Sequence, residues 1–522
     1  MKNSNAHYIS CSIKYVMKKG YGLILGITAF LILLIAPIDP AMLPVPARLA
    51  AAVTVMMAIF WITQPIPIEA TALIPLVAFP LLGILKPAEA AVPYADKVIF
   101  LFLGGFIIAM SMQRWGLHKR IALKIINITG TSPKRLILGF MIATAFLSMW
   151  MSNTATAMMM IPIAIAIIAT VLPTKVFADM EPQHKAFAGC LVLAVAYAAG
   201  VGGIGTLIGT PANGILAAQM ALIFPQSTPI DFFTWMEFGV PFVILMILVI
   251  WLWLTKVAYR KMPNILVNAK DALNKEVKEL GPMSRGEKNT LFVFVLTAFC
   301  WIFAKSKDFG IFTLPGLDVF IPGIDDSTIA IFGAILLFII PISWRKQEYT
   351  MNWQWAVRIP WGILLLFGGG MCLSAAFIKS GLAQTIVGYL DVLHGVPILI
   401  IVLAIAVLVT FMTELTSNTA IASVMMPILA VTAISLAVNP MVLMMTAAVC
   451  SSLAFMLPVA TPPNAIAFGT EYVEMKDMVT AGWFLNLIGI VIFTIFVFTI
   501  VLWAFGITLD LPSWALASTV NI

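Results

Sequence analysis

The stretch TELTSNTA, Thr413 to Ala420, places a carboxylate, an amide and four hydroxyls in eight residues. It lies between the apolar runs PILIIVLAIAVLVTF and IASVMMPILA. A second polar interruption, MWMSNTA, occupies Met149 to Ala155, again between apolar runs. The two Ser-Asn-Thr triplets are 265 positions apart. Hydrocarbon excludes such groups unless they meet partners, so the duplicated pattern calls for an explanation in both structure and function.

Working outward, the 522-residue chain is 61% hydrophobic and 10% charged. A soluble globular chain carries roughly 25% charged residues. The composition indicates an all-α polytopic membrane protein, since a spanning helix needs about 20 mostly apolar residues. Eleven crossings are expected, at 21–38, 48–64, 68–85, 98–113, 187–221 (broken), 238–255, 290–304, 327–343, 360–378, 441–470 (broken) and 481–505. The stretches 136–170 and 398–436 each hold one Ser-Asn-Thr and read as re-entrant hairpins. Non-helical backbone at membrane depth is tolerated only inside protein or along a watery cavity.

The basic residues orient this arrangement. With the N-terminus inside, 24 of 30 Lys and Arg face the cytoplasm, as the positive-inside rule requires. Lys2, Lys14, Lys18 and Lys19 precede the first apolar run, which reads as an uncleaved helix. The C-terminus then falls outside. The net charge of +7 is a topology signal and implies no nucleic-acid partner.

The offset of 265 recurs at Gly104-Gly105 with Gly369-Gly370, Arg114 with Lys379, Gly116-Leu117 with Gly381-Leu382, and Pro162 with Pro427. GTPAN, Gly209 to Asn213, pairs with ATPPN, Ala460 to Asn464, at a shorter spacing. The chain therefore divides into 1–47 (N-terminus and first helix), 48–255 (first repeat), 256–289 (basic cytoplasmic linker), 290–505 (second repeat) and 506–522 (external tail). Five crossings per repeat is an odd number, so the second copy is inverted. Inverted repeats with interrupted helices mark secondary transporters, with the site at the repeat interface.

Each repeat has two interruptions. Proline removes an N–H and glycine permits sharp turns, so each break frees carbonyls and amides. Carbonyls and helix C-termini suit a cation, while N–H groups and helix N-termini suit an anion. Each repeat can thus build one site for a small alkali ion from hairpin-tip oxygens and broken-helix carbonyls. Ser148 and Thr413, four residues before each motif serine, join on the same helical face. Between the sites, the Asn amides and Thr hydroxyls can grip both ends of a short dicarboxylate. No Arg or Lys is placed in that cavity, so bound cations and helix ends must supply its positive charge.

Other features read blandly. The glycine pairs are close-packing positions, and Met158-Met159-Met160 is core. Glu414 pairs locally or reaches the external interface, because a carboxylate beside a bound anion would repel it. GIGTLIG, Gly203 to Gly209, lacks the βαβ context of a dinucleotide loop. Cys11, Cys190, Cys300, Cys372 and Cys450, like His7, His118, His184 and His394, are scattered without metal-ligand spacing. No Ser-His pair, paired aspartates or H-E-x-x-H lies in the apolar spans, so the chain does not read as an enzyme and no cofactor is expected beyond coupling sodium ions. Re-entrant hairpins also build pores, but a single central site without a ring of charge favours alternating access over a channel.

The SNT pair, the GTPAN and ATPPN breaks and FLFLGGFIIAMSMQRWGLHKR, Phe100 to Arg120, resemble the divalent anion/sodium symporter family, its bacterial sodium-coupled dicarboxylate transporters above all. The resemblance covers about residues 20 to 510. It implies a plasma-membrane homodimer in which a transport domain moves like an elevator against a scaffold, carrying succinate, malate or fumarate. It places one sodium site on Ser148, Ser152, Asn153 and Gly209, and a second on Thr413, Thr416, Ser417, Asn418 and Ala460. Substrate contacts fall on Ser152, Asn153, Thr154, Ser417, Asn418, Thr419 and Thr461, with Thr210 as the symmetric counterpart. Some family members exchange dicarboxylates without sodium; the motifs leave that alternative open, with symport the leading reading.

Overall fold

A computed structural model describes residues 20–174, 179–266, 269–308, 312–389 and 395–516. Lys2, Lys14, Lys18, Lys19, His7, Cys11, His394 and the last six residues lie outside them. The described residues are mostly helical, with two short antiparallel ribbons, Lys307–Asp308 with Thr313–Leu314 and Pro341–Ser343 with Glu348–Tyr349.

The principal helices are α1 (Val45–Thr63), α2 (Lys97–Trp115), α3 (Leu117–Thr129), α4 (Pro133–Ser148), α5 (Asn153–Val171), α6 (Pro182–Gly202), α7 (Pro211–Ile223) and α8 (Phe232–Trp253). They continue as α9 (Arg285–Ile302), α10 (Asp326–Ile339), α11 (Trp361–Ser380), α12 (Ile398–Thr413), α13 (Asn418–Ser435), α14 (Pro440–Cys450), α15 (Pro462–Gly469) and α16 (Met475–Phe496). Among the described residues, eight helices are long and apolar enough to cross a membrane. Two of them, α5 and α13, fall in the stretches read from sequence as hairpin arms. Several expected crossings are composite instead. The stretch 68–85 divides into Ile68–Thr71 and Ile74–Leu81, with Pro75 withholding a ladder N–H at the start of the second piece.

The matched sequence positions have matched structural roles. Gly116 (φ +72°) ends α2 and Gly381 (φ +75°) ends α11 in left-handed conformations, which glycine adopts without penalty. Arg114 and Lys379 occupy the last turns before them, where a cation meets the negative helix end. A Cβ on Gly104 would lie 2.5 Å from the Ala330 carbonyl oxygen, and one on Gly369 would lie 2.6 Å from that of Ala72. These glycines bring backbones together, as packing positions do.

The linker is tied to α3 by a bracket. Arg120 Nε donates to Glu287 Oε1 at 2.6 Å, and its Nη atoms donate to the carbonyls of Gly281 and Leu280 at 3.0 and 3.1 Å. Burial raises the Glu287 carboxyl pKa, but bonds from Arg120 and Ser284 outweigh it and hold the group below the usual range. A lowered pKa gives stability that is complete above the unfolded-state value and lost as pH falls through the folded one. Arg120→Ala is expected to destabilise the protein by about 2 kcal/mol, and Glu287→Gln to flatten the acid limb. Thermal unfolding between neutral and acidic pH measures both; unchanged curves for both variants would remove the bracket from the account.

Candidate functional site

Four helices begin at one cavity. Ser152 caps α5, its Oγ accepting from the Ala155 N–H at 3.3 Å. Thr461 caps α15, accepting from the Asn464 N–H at 3.4 Å. Thr210 and Ser417 stand at the cap positions of α7 and α13. The cavity, about 530 Å³, is lined by Ser152, Asn153, Thr154, Gly209, Thr210, Ser417, Asn418, Thr419, Ala460 and Thr461. All eight residues expected to hold the substrate are therefore brought together. No Lys or Arg lines it; four helix N-termini supply the positive potential.

Helices α4, α6, α12 and α14 end just behind these starts; hydroxyls from the ends of α4 and α12 meet backbone carbonyls at the ends of α6 and α14 in two oxygen clusters. In the first, Ser148 Oγ lies 2.8 Å from Asn153 Oδ1 and donates to the Ala199 carbonyl at 2.6 Å. The end of the Asn153 amide facing this group is also 3.1 Å from the Ala199 carbonyl and 3.3 Å from that of Gly209. With nitrogen in that position the oxygens are satisfied by donation. With Oδ1 there, four oxygens converge with one hydroxyl proton among them, a donor set that suits a cation at unwound carbonyls. Gly203 makes the approach possible, since a Cβ there would fall 2.6 Å from Asn153 Oδ1. In the second cluster, Thr413 Oγ1 meets Asn418 Oδ1 at 2.5 Å and the Ser451 carbonyl at 2.9 Å. Ser148 and Thr413 are fully buried.

Two expected ligands have other engagements. Thr416 Oγ1 donates to the Met412 carbonyl in the last turn of α12 at 3.2 Å, and Ser152 serves as the cap of α5. Sequence reasoning missed the carbonyls of Ala199 and Ser451, which carry no side-chain signal. It also missed Gln64, Ile68, Phe106 and Ile363 in the cavity wall, which come from helices remote in sequence from the motifs.

The breaks themselves are braced. Asn213 Nδ2 donates to the carbonyls of Gly203 and Thr206 at 3.1 and 2.8 Å; Asn464 Nδ2 donates to those of Ala454 and Leu457 at 3.0 and 3.2 Å. The asparagines that end GTPAN and ATPPN thus do the same work at matched positions. Glu414 has no equivalent, its counterpart being Met149. Its buried carboxylate accepts N–H bonds from Phe455, Met456 and Leu457 at 2.8–2.9 Å and from Asn486 Nδ2 at 2.8 Å. Glu414 therefore pairs locally, one of the two roles expected of it.

Comparison with known proteins agrees with this architecture. Residues 17–508 match the family described as the sodium:sulfate symporter transmembrane region. The sodium-dependent dicarboxylate transporter SdcS of Staphylococcus saprophyticus is 43% identical over 493 residues, covering 94% of this chain and 93% of the relative. SdcS of Staphylococcus aureus strain MRSA252 is 42% identical over 492 residues, with the same coverage. At the level of fold alone, the chain is similar to Neisseria gonorrhoeae MtrF, described as illuminating a class of antimetabolite efflux pumps (TM-score 0.56, 12% identity, 87% of this chain and 95% of that one). The Alcanivorax borkumensis YdaH transporter is similar to the same degree (TM-score 0.56, 14% identity, 86% and 98%). The matched helix breaks, the shared cavity and a family match across nearly the whole chain lead to one conclusion: this multi-pass membrane protein belongs to the sodium:sulfate symporter family of divalent anion transporters.

Proposed function

We propose that the chain imports C4-dicarboxylates such as succinate, malate and fumarate by sodium symport. The observation that carries this reading is the pairing of an anion-suited cavity without a cationic side chain with two flanking oxygen clusters. A dianion in that cavity needs positive charge beyond helix ends, and two bound cations supply it. The sodium-dependent dicarboxylate transporters among the relatives support the same choice over sodium-independent exchange.

The wider reading is an elevator. The first helix, 21–38, and two inverted repeats of five, 48–255 and 290–505, give eleven crossings, with two re-entrant hairpins, 136–170 and 398–436. The transport domain carries the hairpins and the broken helices, and the protein works as a homodimer in the plasma membrane. The N-terminus is cytoplasmic and the C-terminus external. Gln64, Ile68 and Ile363 then mark the cytoplasmic ends of their helices, so the cavity they line opens inward.

Linkage tests the coupling. Sodium should raise succinate affinity, and succinate should raise sodium affinity by the same factor. Ser148→Ala and Thr413→Ala should each raise the half-saturating sodium concentration roughly tenfold, the loss of about one hydrogen-bond-scale interaction. They should change the ranking of dicarboxylates less than substitutions at Thr154 or Thr419, which stand on the cavity wall. Titration calorimetry of the purified protein reads both quantities. Succinate binding of equal strength in sodium and in choline would reject symport.

A further inference from the structure

The two halves carry the same parts in different surroundings. Trp150 and Leu415 each precede a motif serine by two residues. Trp150 is 8% exposed and Leu415 is 69% exposed. Ile208 and Val459 each precede the residue that opens a Thr-Pro break. Ile208 is 3% exposed and Val459 is 74% exposed. At these two pairs of positions the apolar side chain of the first half is covered and its counterpart in the second half is bare.

The covering surface is identifiable. The Trp150 ring lies 4.9 Å from Phe294 edge-on and 6.4 Å from Trp301, centroid to centroid. Phe232 stacks against both tryptophans, 5.9 Å from Trp150 and 4.5 Å from Trp301. Ile208 packs on Gly105, where a Cβ would meet its Cδ1 at 3.1 Å. This surface has a duplicate. Ala298 to Ile302 (AFCWI) in α9 corresponds to Ala58 to Ile62 (AIFWI) in α1. Both tryptophans hold the start of a following helix: Trp301 Nε1 donates to the Asp326 carbonyl at the start of α10 at 2.9 Å, and Trp61 Nε1 to that of Ile68, which opens Ile68–Thr71, at 3.1 Å. Gly370 duplicates Gly105. A crevice of about 30 Å³ separates Trp61 and Ile62 of α1 from Met412 and Thr416 at the second tip.

We propose that the tips are alternating latches. In the state seen here, Trp150 and Ile208 are seated on α9 and Gly105. In the opposite state, Leu415 seats on α1 beside Trp61, and Val459 seats on Gly370, while Trp150 and Ile208 are uncovered. The inference rests on the alternating-access reading above and names the residues that exchange burial in it. The physical logic is balance. Each state covers one apolar pair and exposes the other, so the two states remain close in free energy and neither traps the carrier.

Paired cysteines test the exchange in a background with Cys11, Cys190, Cys300, Cys372 and Cys450 replaced. Trp150→Cys with Phe294→Cys should cross-link in resting protein. Phe294 lies seven residues before Trp301, and Thr54 lies seven before Trp61, so Leu415→Cys with Thr54→Cys probes the opposite state. That pair should cross-link faster when sodium and succinate are added, and either cross-link should stop uptake until it is reduced. Leu415→Ser should slow turnover roughly tenfold, because burying a leucine side chain is worth on the order of a tenfold population shift or more, while succinate binding in detergent is retained. The latch is overturned if the Leu415/Thr54 pair never cross-links in protein whose parent transports succinate, or if Leu415→Ser and Val459→Ser together leave the uptake rate unchanged. Should the parent fail to carry succinate, the dicarboxylate reading falls instead; cross-linking of the Leu415/Thr54 pair with sodium alone, or without it, then still decides the latch, by appearing or by remaining absent.

Discussion

Replacing Asn153 or Asn418 by alanine is expected to reduce succinate uptake by more than a hundredfold while the protein stays folded in the membrane. Each amide stands at a helix start in the cavity and at an oxygen cluster behind it, so one substitution removes a contact to the cation and one to the anion. Hydrogen bonds to charged partners contribute roughly 1.5–3 kcal/mol each. Two lost contacts therefore exceed about 3 kcal/mol, over two powers of ten in affinity. Folding should survive, because the Ser152 cap of α5 is untouched and both helices remain packed along their length. Uptake into proteoliposomes, with thermal unfolding as the control, measures the effect. Near-normal uptake by both variants would remove the triplets from the site.

Glu414→Ala is expected to have the largest effect on stability of any single substitution at the breaks, about 3–5 kcal/mol. The change strips the acceptor from three backbone N–H groups and the Asn486 amide at once. The donors of Phe455 and Asn486 are buried and those of Met456 and Leu457 partly so, and each buried donor left unsatisfied costs roughly 1–3 kcal/mol. Glu414→Gln should fall between, since its amide nitrogen cannot accept from the donors that faced one carboxylate oxygen. Met149→Ala, at the matched position of the first half, should have a far smaller effect, because Met149 gives that break a backbone carbonyl, to the Thr206 hydroxyl, and a side chain packed beside Gly205, so its loss strands no N–H donor. Thermal unfolding in detergent compares the three, and a Glu414→Ala variant as stable as Met149→Ala would contradict the role assigned to the carboxylate.

The contrast between these two positions shows what was legible in the sequence. The triplets and the Thr-Pro breaks were visible because polar residues and prolines interrupt apolar runs at repeated spacing, and the structure gathers all eight of those side chains at one cavity. The glycine pairs were legible as packing sites for the same reason. The carbonyls of the oxygen clusters were not, since Ala199 and Ser451 contribute backbone atoms that any residue possesses. The role of Glu414 was visible only as a pair of alternatives: a buried carboxylate needs donors, but its donors lie 41 to 72 positions away. Thr416 and Ser152 illustrate the converse limit. A hydroxyl in a motif can bond its own helix turn or cap, and composition does not say which.

The central claim is that sodium binding supplies the charge that lets a dicarboxylate enter the cavity. Uptake of radiolabelled succinate into proteoliposomes, with and without an inward sodium gradient, tests it most directly. The account predicts concentrative uptake that requires the gradient, collapses when sodium is replaced by choline or potassium, and falls in Ser148→Ala and Thr413→Ala unless sodium is raised. Uptake indifferent to sodium and driven by preloaded dicarboxylate alone would contradict it.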